Sequence, residues 1–371
     1  MTNVKLHEPL VRVVKRDGVG MLKKLLVRLS AVVLALLVDA LFILCVTGLN
    51  PIEVYATMID GTFSTTRRIC TALRDWAPLL LISIALAPAF KMRFWNIGAE
   101  GQVLMGALGT ALVMVYCAEW LTGPWMYVGM LIASIVFGAL WGLIPALFKA
   151  KFGTNETLFT LMMNYVAIKL VSCFYNMWRG QASSLGKLNK ATKLGWFDSM
   201  PLFGVKTTYT VTVIAAVVMV FVMFFYLRYT KQGYEITVVG ESQRTARYAG
   251  INVSRVIIRT MIISGVLCGV TGFLIVGGRD QTISTTTAGG DGFTAIIVAW
   301  MAKFNAFYMA LIAALLTFLS KGAAQIASSY SNLNEYASDI ITGIILFFLI
   351  GCEFFINYRL VFRGRRKKEV L

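Results

Sequence analysis

Ten apolar runs, most of them long enough to cross a bilayer, constrain this chain more than any other feature. They lie near 29–46, 77–90, 98–117, 125–148, 157–175, 208–227, 256–278, 292–304, 306–326 and 337–356. About 20 apolar residues in a helix cover the roughly 30 Å of hydrocarbon in a membrane. Inside lipid every backbone N–H and C=O must be satisfied within the protein, which restricts spanning segments to helices and closed barrels. Runs of this length are helices. The predicted fold is an all-α integral membrane protein of about ten transmembrane helices. Only 14% of the residues are charged and 58% are hydrophobic, against about 25% charged in an average soluble domain.

The basic residues orient the bundle. The net charge of +17 does not indicate nucleic-acid binding, because the lysines and arginines cluster beside apolar runs. Seven precede residue 29, two lie at 91–93, two at 149–151, six between 228 and 259, and six follow from Arg359. That places 23 of 35 on one side, against nine in the alternate connections. Positive charge stays in the cytoplasm, so both termini are predicted there. The first run lacks a small-residue cleavage site and reads as a membrane anchor, not a removable signal. The organisation expected is a basic tail over 1–28, a polytopic domain over 29–356 with a cytoplasmic loop at 228–255, and a basic tail over 357–371.

Enzymatic and metal chemistry find little support. The six cysteines are scattered through apolar segments without C-x-x-C spacing, as small core hydrophobes would be. The single histidine, His7, lies in the N-terminal tail, so histidine-based metal sites and triads lack their central residue, and no metal site is expected. No G-x-x-x-x-G-K-[ST] occurs, so the chain binds no cofactor of its own by that route, and ATP-driven work would need a separate ATPase polypeptide.

Two runs are short for straight spanning helices: Ala77–Phe90 and the stretch after Gly289, Gly290 and Gly292. Short or glycine-interrupted segments in corresponding places of two halves point to a transport pathway built from broken helices. Direct identity reveals no repeat, which leaves an inverted repeat open.

The stretch FWNIGAEGQV (Phe94–Val103) sets Asn96, Glu100 and Gln102 between two apolar runs. Two readings fit the residues alone: polar groups facing the interior of the bundle, or a capped cytoplasmic turn. In NETLFTLMMNYVA, Asn155 and Glu156 suit a helix start, while Asn164 lies deeper, where an interhelical hydrogen bond or a substrate contact would satisfy its amide. ESQRTARYA (Glu241–Ala249) lacks Gly and Pro and offers Glu241, Gln243, Arg244, Arg247 and Tyr248 on a short charged helix. A solvated loop is the alternative there.

FWNIGAEGQVLMGALGTAL closely resembles the F-N-I-G-A-E-G-Q motif of the permeases of bacterial ABC importers for nucleosides and simple sugars, within the branched-chain amino acid and ribose permease family. NETLFTLMMNYVA, GYEITVVGESQRTARYAGI and GGDGFTAIIVAWMAKFNAF continue the likeness in the family's order. Trp95 departs from it, since the family tends to small or apolar residues there. The resemblance implies a permease subunit in the bacterial inner membrane, with ATP used by a partner ATPase docked on ESQRTARYA. It also implies a second related permease, as a homo- or heterodimer, and an extracytoplasmic substrate-binding lipoprotein. Asp291 and Phe293, after the glycines of GGDGFTAII, are then expected to line the pathway with Asn96, Glu100, Gln102 and Asn164. An ion-gradient-driven transporter using Glu100 as its ion site is the competing class.

Overall fold

The computed structural model describes residues 11–16, 20–330 and 335–362; His7 and the basic residues from Arg363 onward lie outside the described residues. In chain order the elements are β1 (Val11–Lys15), α1 (Met21–Thr47), α2 (Pro51–Phe63), α3 (Thr66–Lys91), α4 (Ala99–Tyr116), α5 (Pro124–Phe152) and α6 (Glu156–Arg179). The hairpin β2 (Met200–Leu202) and β3 (Val205–Thr207) follows, then α7 (Thr210–Tyr229), α8 (Lys231–Glu241), α9 (Gln243–Tyr248) and α10 (Val253–Leu274). A π-helical turn (Ile275–Asp280) extends α10 and leads to α11 (Asp291–Met301), α12 (Ala306–Ser329), α13 (Glu335–Asn357) and β4 (Tyr358–Phe362). Among the described residues eight helices are long and apolar enough to cross a membrane: α1, α3 to α7, α10 with its π turn, and α12. The segments Asp291–Met301 and Ile340–Ile356 are shorter and apolar. Each of the ten expected runs therefore falls on a helix.

The chain forms two compact units, one of residues 1–62 and 319–371, the other of residues 63–318. In the first, α1 packs on α13, and β1 pairs antiparallel with β4 in the register Val11 to Phe362. A Cβ on Gly61 of α2 would lie 2.6 Å from Gln325 Cβ, so that glycine sets how closely α2 meets the end of α12.

In the second unit α10 is the central helix, with α3, α4 and α5 around it. Lipid tails are as apolar as leucine, so helices in a bilayer are held by close packing of small residues. The sequence provides them: Gly106 of α4 meets the backbone of Gly269, and Gly138 of α5 meets that of Gly265. At Gly142 an added Cβ would lie 2.5 Å from the Met261 carbonyl oxygen.

Two expectations are corrected. Ala77–Phe90 is not a short segment: it is the inner part of α3, a 26-residue helix with Pro78 and Pro88 inside it. The apolar run starts at Ala77, but the helix begins eleven residues earlier at Thr66, capped by Thr65. Its polar end is satisfied by an Arg74–Asp75 ion pair at 3.0 Å and by Trp76 Nε1 donating to the Ala310 carbonyl at 2.9 Å. The 228–255 connection, expected as a loop that carries a short charged helix, holds two helices, α8 and α9, between the ends of α7 and α10. Ser242 leaves helical geometry at φ −158° and its Oγ accepts from Thr245 N, so ESQRTARYA is divided, with Glu241 ending α8 and Gln243 to Tyr248 forming α9.

Candidate functional site: two helix starts meeting inside the bundle

FWNIGAEGQV is the break between α3 and α4. α3 closes with Arg93 at φ +59°, Arg93 N donating to Phe90 O and Phe94 N to Ala89 O. The chain then runs through 94–98 without helical bonding; Asn96 N donates to the Phe94 carbonyl at 3.0 Å, and side chains take up other freed groups. Asn96 Oδ1 accepts from Gly98 N at 3.0 Å, and Thr160 Oγ1 of α6 accepts from Ile97 N at 3.1 Å. One turn further along α6, Asn164 Oδ1 accepts from Gly101 N while its Nδ2 donates to the Ile97 carbonyl, both at 2.9 Å. In a continuous helix Gly101 N would donate to that same carbonyl; the Asn164 amide is wedged into this bond. A Cβ on Gly101 would lie 2.8 Å from Asn164 Oδ1, so only glycine admits the wedge.

Asn96 Nδ2 lies 3.3 Å from Ser264 Oγ of α10. Ser264 is eleven residues into α10, about 17 Å along its axis from Val253. The polar side chains of the break are buried, Asn96, Gln102 and Asn164 at most 2% exposed and Glu100 at 5%, while Arg93 and Trp95 are exposed. These polar side chains face the interior of the bundle, and the end of α3 before them packs on Gly240 of α8.

Glu100, in the first turn of α4, reaches the start of α11. Its two oxygens accept from Gly290 N at 2.9 Å and Gly292 N at 2.8 Å. A carboxylate at a helix N-terminus is favoured by the helix dipole and by charge-assisted hydrogen bonds. Gly289 and Gly290, at φ +63° and +79°, turn the chain into this position. A Cβ on Gly292 would lie 2.5 Å from Glu100 N, so the two helix starts touch backbone to backbone.

Sequence reasoning missed the other half of the site. Arg279, in the π turn, holds Asp280 with two bonds at 2.9 and 3.0 Å, donates to the Thr287 carbonyl at 2.8 Å and lies 4.0 Å from Asp291. The 281–290 segment is thus pinned by Arg279 at Thr287 and by Glu100 at Gly290. The π turn leaves carbonyls without helical partners, and the 186–212 segment supplies them: Leu188 N to Gln281 O, Phe197 N to Gly277 O and Thr208 Oγ1 to Gly278 O, at 2.9, 2.9 and 2.6 Å. Such π turns frequently mark functional places in a helix. The signal available in the sequence was the pair Arg279–Asp280 directly after an apolar run.

The structure brings Asn96, Glu100, Gln102 and Asn164 together with Asp291, and sets Phe293, 44% exposed, on the open side of α11. Gln102 Oε1 accepts from Asn96 Nδ2 at 3.4 Å, while Gln102 Nε2 is buried without a hydrogen-bond partner. Asn155 and Glu156 start α6: Asn155 Oδ1 accepts from Leu158 N, and Glu156 pairs with Lys149 at 2.6 Å.

The coupling candidates lie elsewhere. On α9 Ala246 is buried and anchors the helix, while Gln243, Arg244 and Arg247 are exposed and Tyr248 is 93% exposed. Gly250 at φ +77° ends α9, with Ile251 N donating to Ala246 O, and Asn252 caps α10 two residues on. Tight caps at both ends hold this six-residue helix out from the bundle.

Residues 68–350 match the family model described as "Branched-chain amino acid transport system / permease component". A guanosine ABC transporter permease of Bacillus subtilis is 32% identical, with 94% of this chain and 98% of that protein covered. A glucose ABC transporter permease of Haloferax volcanii is 29% identical, over 84% of this chain and 83% of that one. A nucleoside ABC transporter permease of Lactococcus lactis is 27% identical, over 91% and 93%. Broken helices meeting inside a polytopic bundle, a family match over three quarters of the chain and relatives matched nearly end to end agree: the chain belongs to the branched-chain amino acid transport system permease family and is a membrane-spanning permease subunit of an ABC importer, not an enzyme.

Proposed function

We propose that this subunit forms half of the pathway for a nucleoside in the inner membrane of a bacterium, with both chain termini in the cytoplasm and 29–356 as the permease domain. The observation that carries the substrate reading is the end-to-end match to permeases named for guanosine and for nucleosides. The glucose permease matches over less of its length and at a lower identity than the guanosine one. The site suits such a cargo: Phe293 offers an aromatic face, Asp291 a half-buried carboxylate, and Gln102 Nε2 an unused donor. A flat ring with a few polar edges is recognised by such a combination. Asn96, Glu100 and Asn164 shape the pathway by holding the break and the start of α11, with any contact to the cargo made from there.

The cytoplasmic surface of α9, with Glu241 beside it, is the docking element for a separate ATPase that hydrolyses the ATP. Gln243, Arg244, Arg247 and Tyr248 are the contacts, being exposed on a helix fixed at both ends. A second, related permease closes the pathway, and an extracytoplasmic substrate-binding lipoprotein delivers the cargo. The starts of α4 and α11, reached by breaks at 92–98 and 281–290, support an inverted relation between the two halves. Gradient-driven transport through Glu100 is not favoured: both of its oxygens are engaged by backbone N–H groups.

Uptake of labelled guanosine by cells expressing the complete transporter tests the substrate. Competition by unlabelled nucleosides and none by glucose supports the reading. Competition by glucose alone overturns it.

A further inference from the structure

Short α11 leaves one face unburied. Phe293 stands at its start, and two turns on Trp300 is 45% exposed. The Trp300 ring stacks on Trp95, centroids 5.0 Å apart and planes 20° apart, and Trp95 is itself 44% exposed. Behind them Phe90 sits edge-on to Trp95 at 6.1 Å and Phe304 edge-on to Trp300 at 5.4 Å. Phe90 is 2% exposed, so the pair is buttressed on the protein side and open on the other.

We propose that Trp95 and Trp300 form a stacking gate at the inner end of the pathway, and that the base of a passing nucleoside displaces one ring from the other and stacks in its place. The inference rests on the nucleoside reading above. Three observations carry it. A short helix entered through irregular backbone, as α11 is, is a form that lines transport pathways, and its open face is the one that holds Phe293 and Trp300. The two rings come from separate segments, Trp95 from the 92–98 break and Trp300 from the end of α11, so relative movement of those segments parts them. Each ring lies next to a backbone turn in the left-handed region, at Arg93 (φ +59°) on one side and at Lys303 and Phe304 (φ +51° and +62°) on the other.

The chemistry selects for a base. Every nucleobase has a π face, and aromatic stacking is tolerant of which base presents it. Glucose has no π face to offer.

The test is ATP-driven uptake by the complete transporter in proteoliposomes, comparing the unmodified protein with Trp300→Leu, Trp95→Leu and Trp300→Phe. KM for guanosine is expected to rise about fivefold or more in each leucine variant, the lower end of what one base–aromatic stack contributes. Trp300→Phe, which keeps a ring face, should stay within about twofold. Co-purification of the ATPase should be the same in all. In the unmodified transporter guanosine should quench tryptophan emission and glucose should not, a reading that survives if a leucine variant fails to assemble. Unchanged KM in both leucine variants overturns the gate. So does loss of uptake in step with loss of assembly, with no guanosine quenching, which would make the rings interfacial anchors. Failure of the unmodified transporter to take up any nucleoside overturns the substrate reading and the gate with it; nucleoside uptake with indifferent leucine variants removes the gate alone.

Discussion

Asn164→Leu removes the amide wedge with little change in side-chain volume. Two hydrogen bonds of 2.9 Å disappear, leaving Gly101 N–H and the Ile97 carbonyl without Asn164. Hydrogen bonds between regular membrane helices are worth only about 0.6 kcal/mol each on average, because the unfolded state in the membrane finds other partners. Backbone groups stranded at a buried break cost about 1–3 kcal/mol each. The second figure governs here, since Thr160 holds Ile97 N and Asn96 holds Gly98 N in a turn that keeps Gly101 from closing directly on Ile97. The expected destabilisation is therefore about 2–6 kcal/mol for the pair, which for a chain of this size lowers the midpoint of thermal unfolding by roughly 3–8 °C. Thermal unfolding of the detergent-purified complex, followed by loss of monodisperse protein, reads it directly. Asn164→Asp should be intermediate, because one oxygen still accepts from Gly101 N while the other faces a carbonyl. An Asn164→Leu protein that unfolds at the unmodified temperature yet has lost uptake would refute the bracing role and make Asn164 a cargo contact.

Gly292→Ala should separate the starts of α4 and α11, because its Cβ would lie 2.5 Å from Glu100 N; we expect uptake to fall at least tenfold with ATPase binding intact, measured by uptake alongside co-purification. Arg244→Glu with Arg247→Glu should weaken ATPase binding measurably while leaving the membrane domain folded, since interfacial charge reversal costs several kcal/mol when buried and less at a rim; full co-purification and full uptake would return α9 to a bare surface helix. Arg279→Gln should free the 281–290 segment and raise its susceptibility to proteolysis from outside, and an unchanged digestion pattern would remove Arg279 as its anchor.

Much of the architecture could be read from the residues, because hydropathy and helix length follow one physical rule in lipid. The burial of FWNIGAEGQV was half legible: Asn96, Glu100 and Gln102 announced buried polar groups, but the partners of the stretch, Ser264, Thr160 and Asn164, lie 63 or more residues away in sequence. The full length of α3 was hidden because Arg67, Arg68, Arg74 and Asp75 read as the end of a span, whereas an ion pair and an early cap carry the helix through them. The division of ESQRTARYA was written in Ser242, a preferred N-cap, and was overlooked in favour of helix propensity. The π turn and its clasp by 186–212 had no local signature, since its carbonyls are satisfied by residues about 70 to 90 positions away in sequence.

Coupling to ATP is the claim on which the account depends. In proteoliposomes holding the permease pair, its ATPase and external binding protein, with ATP supplied only on the side that exposes α9, labelled guanosine should accumulate above its external concentration. That accumulation should persist when ionophores collapse all ion gradients. Accumulation that needs an ion gradient and proceeds without ATP would contradict the account.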